Sequence, residues 1–247
     1  MKPFFVFFFA LLLVSVKLNA ATVDADFSAA NKLYAEGKFA NAAQAYDTLI
    51  QNGTRSTALY FNDANAHFKA GQLGLAIAGY RQAALLSPRD ANVKANLDFV
   101  RKQVQGSAFR ESHWASGLSV LTLNEWSVLT AVAFWLTFGL LAARQIRPAL
   151  ALSLKNLTLC CAVLTIGCGG ALALEANDHL SATSAVIIAN EATARSGPFD
   201  EAQTVFTAHD GAELTVLSRH NVWVQVTDET GKIGWLPGRL VAVLPAA

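Results

Sequence analysis

Three hydrophobic periodicities succeed one another along the chain. From Asp24 to Val104 apolar residues recur at three- and four-residue spacing in a stretch rich in Ala, Leu, Gln and Lys, the signature of amphipathic helices. Breaks at Gly37, Asn52-Gly53, Gly71-Gln72 and Ser87-Pro88 cut that stretch into short helices, which predicts helical hairpins. Between Trp126 and Leu174 polar positions become rare, in two blocks, Trp126–Ala143 and Ala149–Leu174. From Ser184 onward the period falls to two. Val186-Ile187-Ile188, Thr204-Val205-Phe206, Glu213–Leu217, Val222–Thr227 and Lys232–Leu236 read as short strands, divided by turns at Ser196-Gly197-Pro198, His209-Asp210-Gly211 and Asp228–Gly231. The expected fold class is multidomain: a helical-hairpin array, a two-helix transmembrane hairpin and a small β-barrel.

A further apolar run, Phe4–Val16, follows Lys2 and precedes a more polar Lys17–Ala20, the layout of a secretory signal peptide over residues 1–20. The run is shorter than the roughly 20 residues a spanning helix needs. Leu18 at the −3 position is larger than cleavage prefers, so an uncleaved anchor stands beside the cleaved signal. Either way the following residues are sent outward. The predicted domains are then residues 21–105 for the array with a capping helix at Asp90–Val104, 106–123 for a connector, 124–144 and 149–174 for the two spans, and 182–247 for the barrel.

The array repeats. A shift of 34 residues lays Ala30 on Ala64, Tyr34 on Phe68, Gly37 on Gly71, Phe39 on Leu73, Ala42 on Ala76 and Tyr46 on Tyr80. Small residues let paired helices approach, aromatics fill the gaps between hairpins, and glycine permits the tight turn. Tyr60 supplies an early aromatic in the second copy, and Ala83 and Pro88 close it. This resembles about two tetratricopeptide repeats. The first copy departs from the pattern, with Asp26 or Phe27 at the early aromatic position and Leu49 at the late alanine. Three or more repeats are usual for stability, so the capping helix or a partner must make up the deficit.

Thr122-Leu-Asn-Glu125 has the spacing of a capping box and starts the first span. Trp114 and Trp126 stand where an aromatic belt would lie. In the second span, Asn156–Leu174 covers about 28 Å at 1.5 Å per residue, close to the hydrocarbon thickness. Lys155 near its start is expected to snorkel to the interface, the alternative being a cation lining a path. The loop between the spans carries Arg144 and Arg147 and no acid, which places it in the cytoplasm by the positive-inside rule. The array and the barrel are then both expected on the outer face of an inner (cytoplasmic) membrane, in the periplasm of a Gram-negative cell.

In the last segment Arg195-Ser196-Gly197, Gly211, Trp223-Val-Gln-Val226 and Gly234-Trp235-Leu236-Pro237 follow one another in the order and spacing of the bacterial SH3-like domain, which this stretch resembles. Trp223, Trp235 and Arg195 are the candidate ligand-groove residues. For Trp235 core packing is the favoured reading; for Trp223 packing and binding stand level.

Composition narrows the function classes. The chain is 53% hydrophobic and 15% charged with a net charge of +1, so no basic field argues for nucleic acid. Cys160, Cys161 and Cys168 all lie in the second span, where small apolar packing outweighs any metal or redox role. No phosphate-binding loop, dinucleotide turn, zinc-protease motif or nucleophile elbow occurs, and no cofactor is implied. His67, His113, His179, His209 and His220 are scattered, without a metal-ligand spacing. The expectation is a non-enzymatic protein.

Signal, short tetratricopeptide array, two spans and SH3-like module together resemble the BatE proteins of the Bat (aerotolerance) operons. That resemblance implies work beside membrane proteins with von Willebrand A domains, a BatD-type protein and a MoxR-type ATPase, in envelope stress or assembly. The functional expectation is an outward-facing interaction scaffold; the alternative is a peptidoglycan-binding envelope protein.

Overall fold

The computed structural model of the chain describes residues 23–104, 121–181 and 183–245; the expected signal peptide and most of the connector lie outside them. The described residues fall into two compact units. One joins the N-terminal helices to the C-terminal strands. The other is the apolar helical hairpin.

The N-terminal helices are α1 (23–35), α2 (Phe39–Gln51), α3 (Thr57–Lys69), α4 (Leu73–Leu86) and α5 (Ala91–Arg101). They begin and end where the breaks in periodicity place them. Ser56 and Asp90 cap α3 and α5 by accepting hydrogen bonds from backbone N–H groups of the first turn, of Leu59 and of Asn92 and Val93. Gly37 and Gly71 occupy the same left-handed position in the two hairpin turns, with φ of 75° and 79°, a conformation that penalises any Cβ.

The 34-residue offset recurs in atomic detail. Tyr46 donates to Asn31 Oδ1 at 2.6 Å, and Tyr80 donates to Asn65 Oδ1 at 2.6 Å. The N–H of Lys38 bonds the carbonyl of Leu33, and that of Gln72 bonds the carbonyl of His67. Ala30, Ala42, Ala64 and Ala76 are all fully buried, the small residues at the crossing of each helix pair. Burial pushes the Tyr46 phenol up to about 12, and it pushes the Tyr80 phenol up as well, so both remain hydrogen-bond donors at all working pH values.

The strands are β1 (Thr183–Ile187), β2 (Glu191–Arg195), β3 (Thr204–His209), β4 (Glu213–His220), β5 (Trp223–Thr227), β6 (Ile233–Pro237) and β7 (Val241–Pro245). They form one sheet in the order β3-β2-β6-β5-β4-β1-β7. β2 with β3, β4 with β5, and β5 with β6 pair antiparallel. The interior is Ala185, Ile187, Ala192, Ala194, Leu214, Val224, Val226 and Leu236. Two of these strands escape the sequence pattern. In β2 the core positions are Ala192 and Ala194, residues with little strand preference. They are small because β6 comes close: a Cβ on Gly234 would meet Ala194 Cβ at 2.8 Å. β7 follows a single 3₁₀ turn, Gly238–Leu240, and is not among the strands that the alternation predicts.

Array and barrel are packed into one body. Val186 of β1 and Leu244 of β7 share a buried cluster with Ala76, Ile77 and Tyr80 of α4 and with Leu97 and Val100 of α5. The first helical position of α4 follows Gln72, whose side chain caps nothing. Asp210, in the β3–β4 turn, does so instead: Oδ2 accepts from the N–H of Leu73 at 2.8 Å and Oδ1 from that of Gly74 at 3.0 Å. A carboxylate on two otherwise unpaired N–H groups at the positive end of a helix is a strong cap. Replacing Asp210 by Ala is expected to lower the unfolding free energy by about 1–2 kcal/mol, read from the urea midpoint, with Asp210→Asn recovering part of the loss.

The second unit holds α6 (Leu123–Ile146) and α7 (Lys155–Ser181). Thr122 and Glu125 form the capping box that their spacing predicts. Both helices are long and apolar enough to cross a membrane, and their side chains are almost wholly uncovered by protein. Thr137 and Thr165 meet across the pair at 3.1 Å. The second helix starts at Lys155, whereas the sequence predicts a span from Ala149. Pro148 starts a separate 3₁₀ turn, Pro148–Leu150, with residues 151–154 in turns before α7. The three cysteines are unbridged.

Candidate binding face of the barrel

Strand register brings the three candidate groove residues to one face. Arg195 of β2 stands opposite Trp235 of β6, Trp235 opposite Gln225 of β5, and Trp223 opposite Pro237. Opposed residues of an antiparallel pair point to the same side, and side chains alternate along each strand. Trp223, Gln225, Trp235, Pro237 and Arg195 therefore share the side opposite the core residues Ala194, Val224, Val226 and Leu236. On β4, Ser218 and His220 stand opposite Gln225 and Trp223 and extend this face; the Ser218 hydroxyl donates to Gln225 Oε1 at 2.9 Å.

The members differ in freedom. Trp223 is only 9% exposed, whereas Trp235 is half-buried. The Arg195 guanidinium donates to the carbonyl of Ala202 at 3.0 Å, tying the β2–β3 loop to the strand. That leaves it further N–H groups for a ligand, since a guanidinium carries five. Val222 and Ile233, at the ends of β5 and β6, are exposed apolar side chains at the margins of this sheet. Between β5 and β6, the Asp228 carboxylate accepts from the N–H groups of Thr230 and Lys232 and from the Thr230 hydroxyl. Slight burial acts against its charge, but these donors hold it below the usual carboxylate range. The turn that frames one end of the face is thereby fixed, with Gly231 at φ 82°.

The face offers the half-buried Trp235 indole, with Trp223 beneath the surface beside it, a guanidinium and amide and hydroxyl groups on adjacent strands. Such a surface suits stacking on a sugar ring or a proline, with charge and hydrogen bonds fixing orientation.

The repeat residues are distributed as a framework. Ala42, Tyr46, Tyr60, Ala76, Tyr80 and Ala83 are buried, Tyr34 is half-buried, and Pro88 is exposed in the turn before α5. Sequence reasoning missed the polar groups at the joint between array and barrel. Arg81 and Glu213 each have a side chain 1% exposed. Arg81 donates to Ser184 Oγ at 2.6 Å and approaches Glu213 Oε2 at 3.3 Å. Arg101 donates to both oxygens of Glu213, at 2.6 and 3.0 Å. In the sequence these are single charges in an amphipathic helix and a strand, with no signal of pairing.

A sheet of short strands with an apolar interior, glycine-containing turns and a paired Gly-Trp strand has the make-up of an SH3-like module. Residues 189–242 match the family described as bacterial SH3 domain, so this part of the chain is a module of that kind. The match leaves out β1 and most of β7, the two strands whose Val186 and Leu244 pack on the array. A search of curated proteins finds no match to the chain.

Proposed function

We propose that the chain is a non-enzymatic, membrane-anchored scaffold of the cell envelope that presents its SH3-like face to a ligand outside the inner membrane. The observation that carries this reading is the shared face of Trp223, Trp235 and Arg195 on a bacterial SH3 module. Such modules are consistent with envelope or peptidoglycan binding. On this reading the helical hairpins are tetratricopeptide-type repeats, a view supported by the Tyr–Asn hydrogen bond that recurs at the repeat interval. The two apolar helices span the membrane, and the basic loop at Arg144 and Arg147 faces the cytoplasm. An even number of spans returns the chain to the outer side. The resemblance to BatE proteins extends the proposal to partners of the Bat type: von Willebrand A-domain proteins, a BatD-type protein and a MoxR-type ATPase.

Two experiments separate a protein partner from the wall. The full-length chain is crosslinked in membranes and its partners recovered after detergent extraction; enrichment of envelope proteins that is lost on substitution of the array supports the scaffold. Co-sedimentation with purified sacculi tests the peptidoglycan reading. If that reading holds, Trp235→Ala is expected to weaken sedimentation about tenfold or more, the usual effect of removing a central aromatic anchor. Absence of sedimentation at low salt removes the wall as ligand. Alkaline phosphatase fusions after Val104, Arg147 and Ala247 test the topology, with high, low and high activity expected; a low value at Ala247 breaks the same-side arrangement.

A further inference from the structure

The α2–α3 hairpin contains a cluster that the barrel and the joint do not use. His67 and Asp63 lie one turn apart on α3, buried to 4% and 5% exposure. Asp47, on α2, reaches the same point from a side chain that is 45% exposed. His67 Nε2 is 3.4 Å from Asp63 Oδ1 and 3.6 Å from Asp47 Oδ2. One ligand atom from each residue falls within 4.8 Å of the others.

Three features point to a ligand rather than to packing. Asp63 Oδ1 is buried, and although His67 Nε2 lies 3.4 Å away, no described group meets hydrogen-bond geometry at this oxygen. His67 Nδ1 lies 2.7 Å from Gln72 Oε1, which accepts only, so Nδ1 carries the proton and Nε2 is the nitrogen turned toward the two carboxylates. That is the support a metal-bound imidazole usually has: its second nitrogen donates to a carbonyl or carboxylate, which fixes tautomer and ring angle. Third, the two distances from His67 Nε2, 3.4 and 3.6 Å, are close to those between ligands of one ion. Tetrahedral Zn²⁺ at 2.0–2.1 Å from N and O ligands places those ligands about 3.3 Å apart.

We propose that Asp47, Asp63 and His67 form a binding site for a divalent transition metal of the zinc class, with water in the remaining position on the exposed Asp47 side. Imidazole with two carboxylates favours such an ion over Mg²⁺ or Ca²⁺, which take all-oxygen shells. Bound metal would clip α2 to α3 across the turn between the two hairpins, a fixed point in a short array.

The test uses the full-length chain in detergent, without a histidine tag and with Cys160, Cys161 and Cys168 replaced by Ser so that thiols cannot hold the ion. After Zn²⁺ loading and gel filtration, about one Zn²⁺ per chain is expected to remain, and Co²⁺ is expected to give the intense visible absorption of a tetrahedral site. His67→Gln and Asp63→Asn are expected to abolish both signals. Because these two positions are buried, Asp47→Asn serves as the surface variant: retention should drop at least tenfold while circular dichroism stays unchanged. No retained Zn²⁺ in the parent, the weak Co²⁺ spectrum of an octahedral ion, or equal retention in parent and Asp47→Asn would each overturn the proposal.

Discussion

Replacing Glu213 by Gln is expected to destabilise the helical and barrel unit by about 3–5 kcal/mol. Glu213 bridges Arg81 and Arg101, and both its own side chain and that of Arg81 are 1% exposed. Neutralising it takes a charge-assisted contact from the buried Arg81 guanidinium, which keeps its hydrogen bond to Ser184 Oγ. Breaking a buried ion pair from one side costs several kcal/mol, far more than the loss of one surface ion pair. Arg101, at 16% exposure, can turn toward solvent, so Arg101→Ala is expected to cost less than either Glu213→Gln or Arg81→Ala. The double change Arg81→Met with Glu213→Leu should recover much of the loss, because apolar side chains of similar volume remove the desolvation cost together with the attraction. Urea unfolding of the full chain in detergent, followed by tryptophan fluorescence and far-ultraviolet circular dichroism, measures all four. In the parent the two signals are expected to change together. In Glu213→Gln the barrel and array should unfold at separate midpoints. An unchanged midpoint in Glu213→Gln would mean that the pair is solvated and the joint is not held by it.

Gly74→Ala is expected to cost about 3 kcal/mol in the whole chain, the upper end of what overpacking usually costs. In a solvated helix the same change stabilises by up to about 1 kcal/mol, since glycine is the poorer helix former. The sign reverses because of what lies beside α4. A Cβ on Gly74 would collide with the carbonyl oxygen of Ile187 and would come within 2.6 Å of Asp210 Oδ1. The first obstacle is backbone in β1 and cannot rotate away. The second is the carboxylate that caps α4, so the methyl group also displaces the cap. A fragment of residues 23–104 and the full chain therefore give opposite results: helix content of the fragment rises, while the urea midpoint of the full chain falls. Equal effects in both would show that the barrel does not rest on α4.

These two positions explain a stability problem that the repeats alone pose. A short helical array leaves its last hairpin with an uncovered apolar face. α5 covers part of it through Val93, Leu97 and Val100. The barrel covers more, through Val186 and Leu244. The module expected from sequence to act as a separate binding arm is thus also part of the array's end cap. For the proposed scaffold this fixes the direction of the barrel's aromatic face relative to the helical hairpins, where a flexible tether would leave it free.

Much of the architecture is local and was readable. Glycine at positions 37 and 71, Ser56 and Asp90 as caps, and the Thr122–Glu125 box mark helix ends because each acts within one turn of its own chain. The 34-residue interval was visible because the same small and aromatic residues recur in the same order. The barrel's Trp223 and Trp235 were visible as a motif, and strand register then placed Arg195 beside them. Strands β2 and β7 were not, because close approach to Gly234 and packing on the array replace the usual branched residues and alternation.

The sequence by itself determined the order of helix, apolar span and strand, the repeat interval and the presence of an SH3-like motif, because periodicity and turn chemistry are properties of neighbouring residues. Only the tertiary structure decided which polar groups are partnered. Asp210 and Gly74, Glu213 and Arg81, and His67 and Asp47 are each brought together by packing between separate elements, the first two pairs across more than a hundred residues. Burial then turns each meeting into a strong interaction, since a charge removed from water must find a partner wherever the fold supplies one.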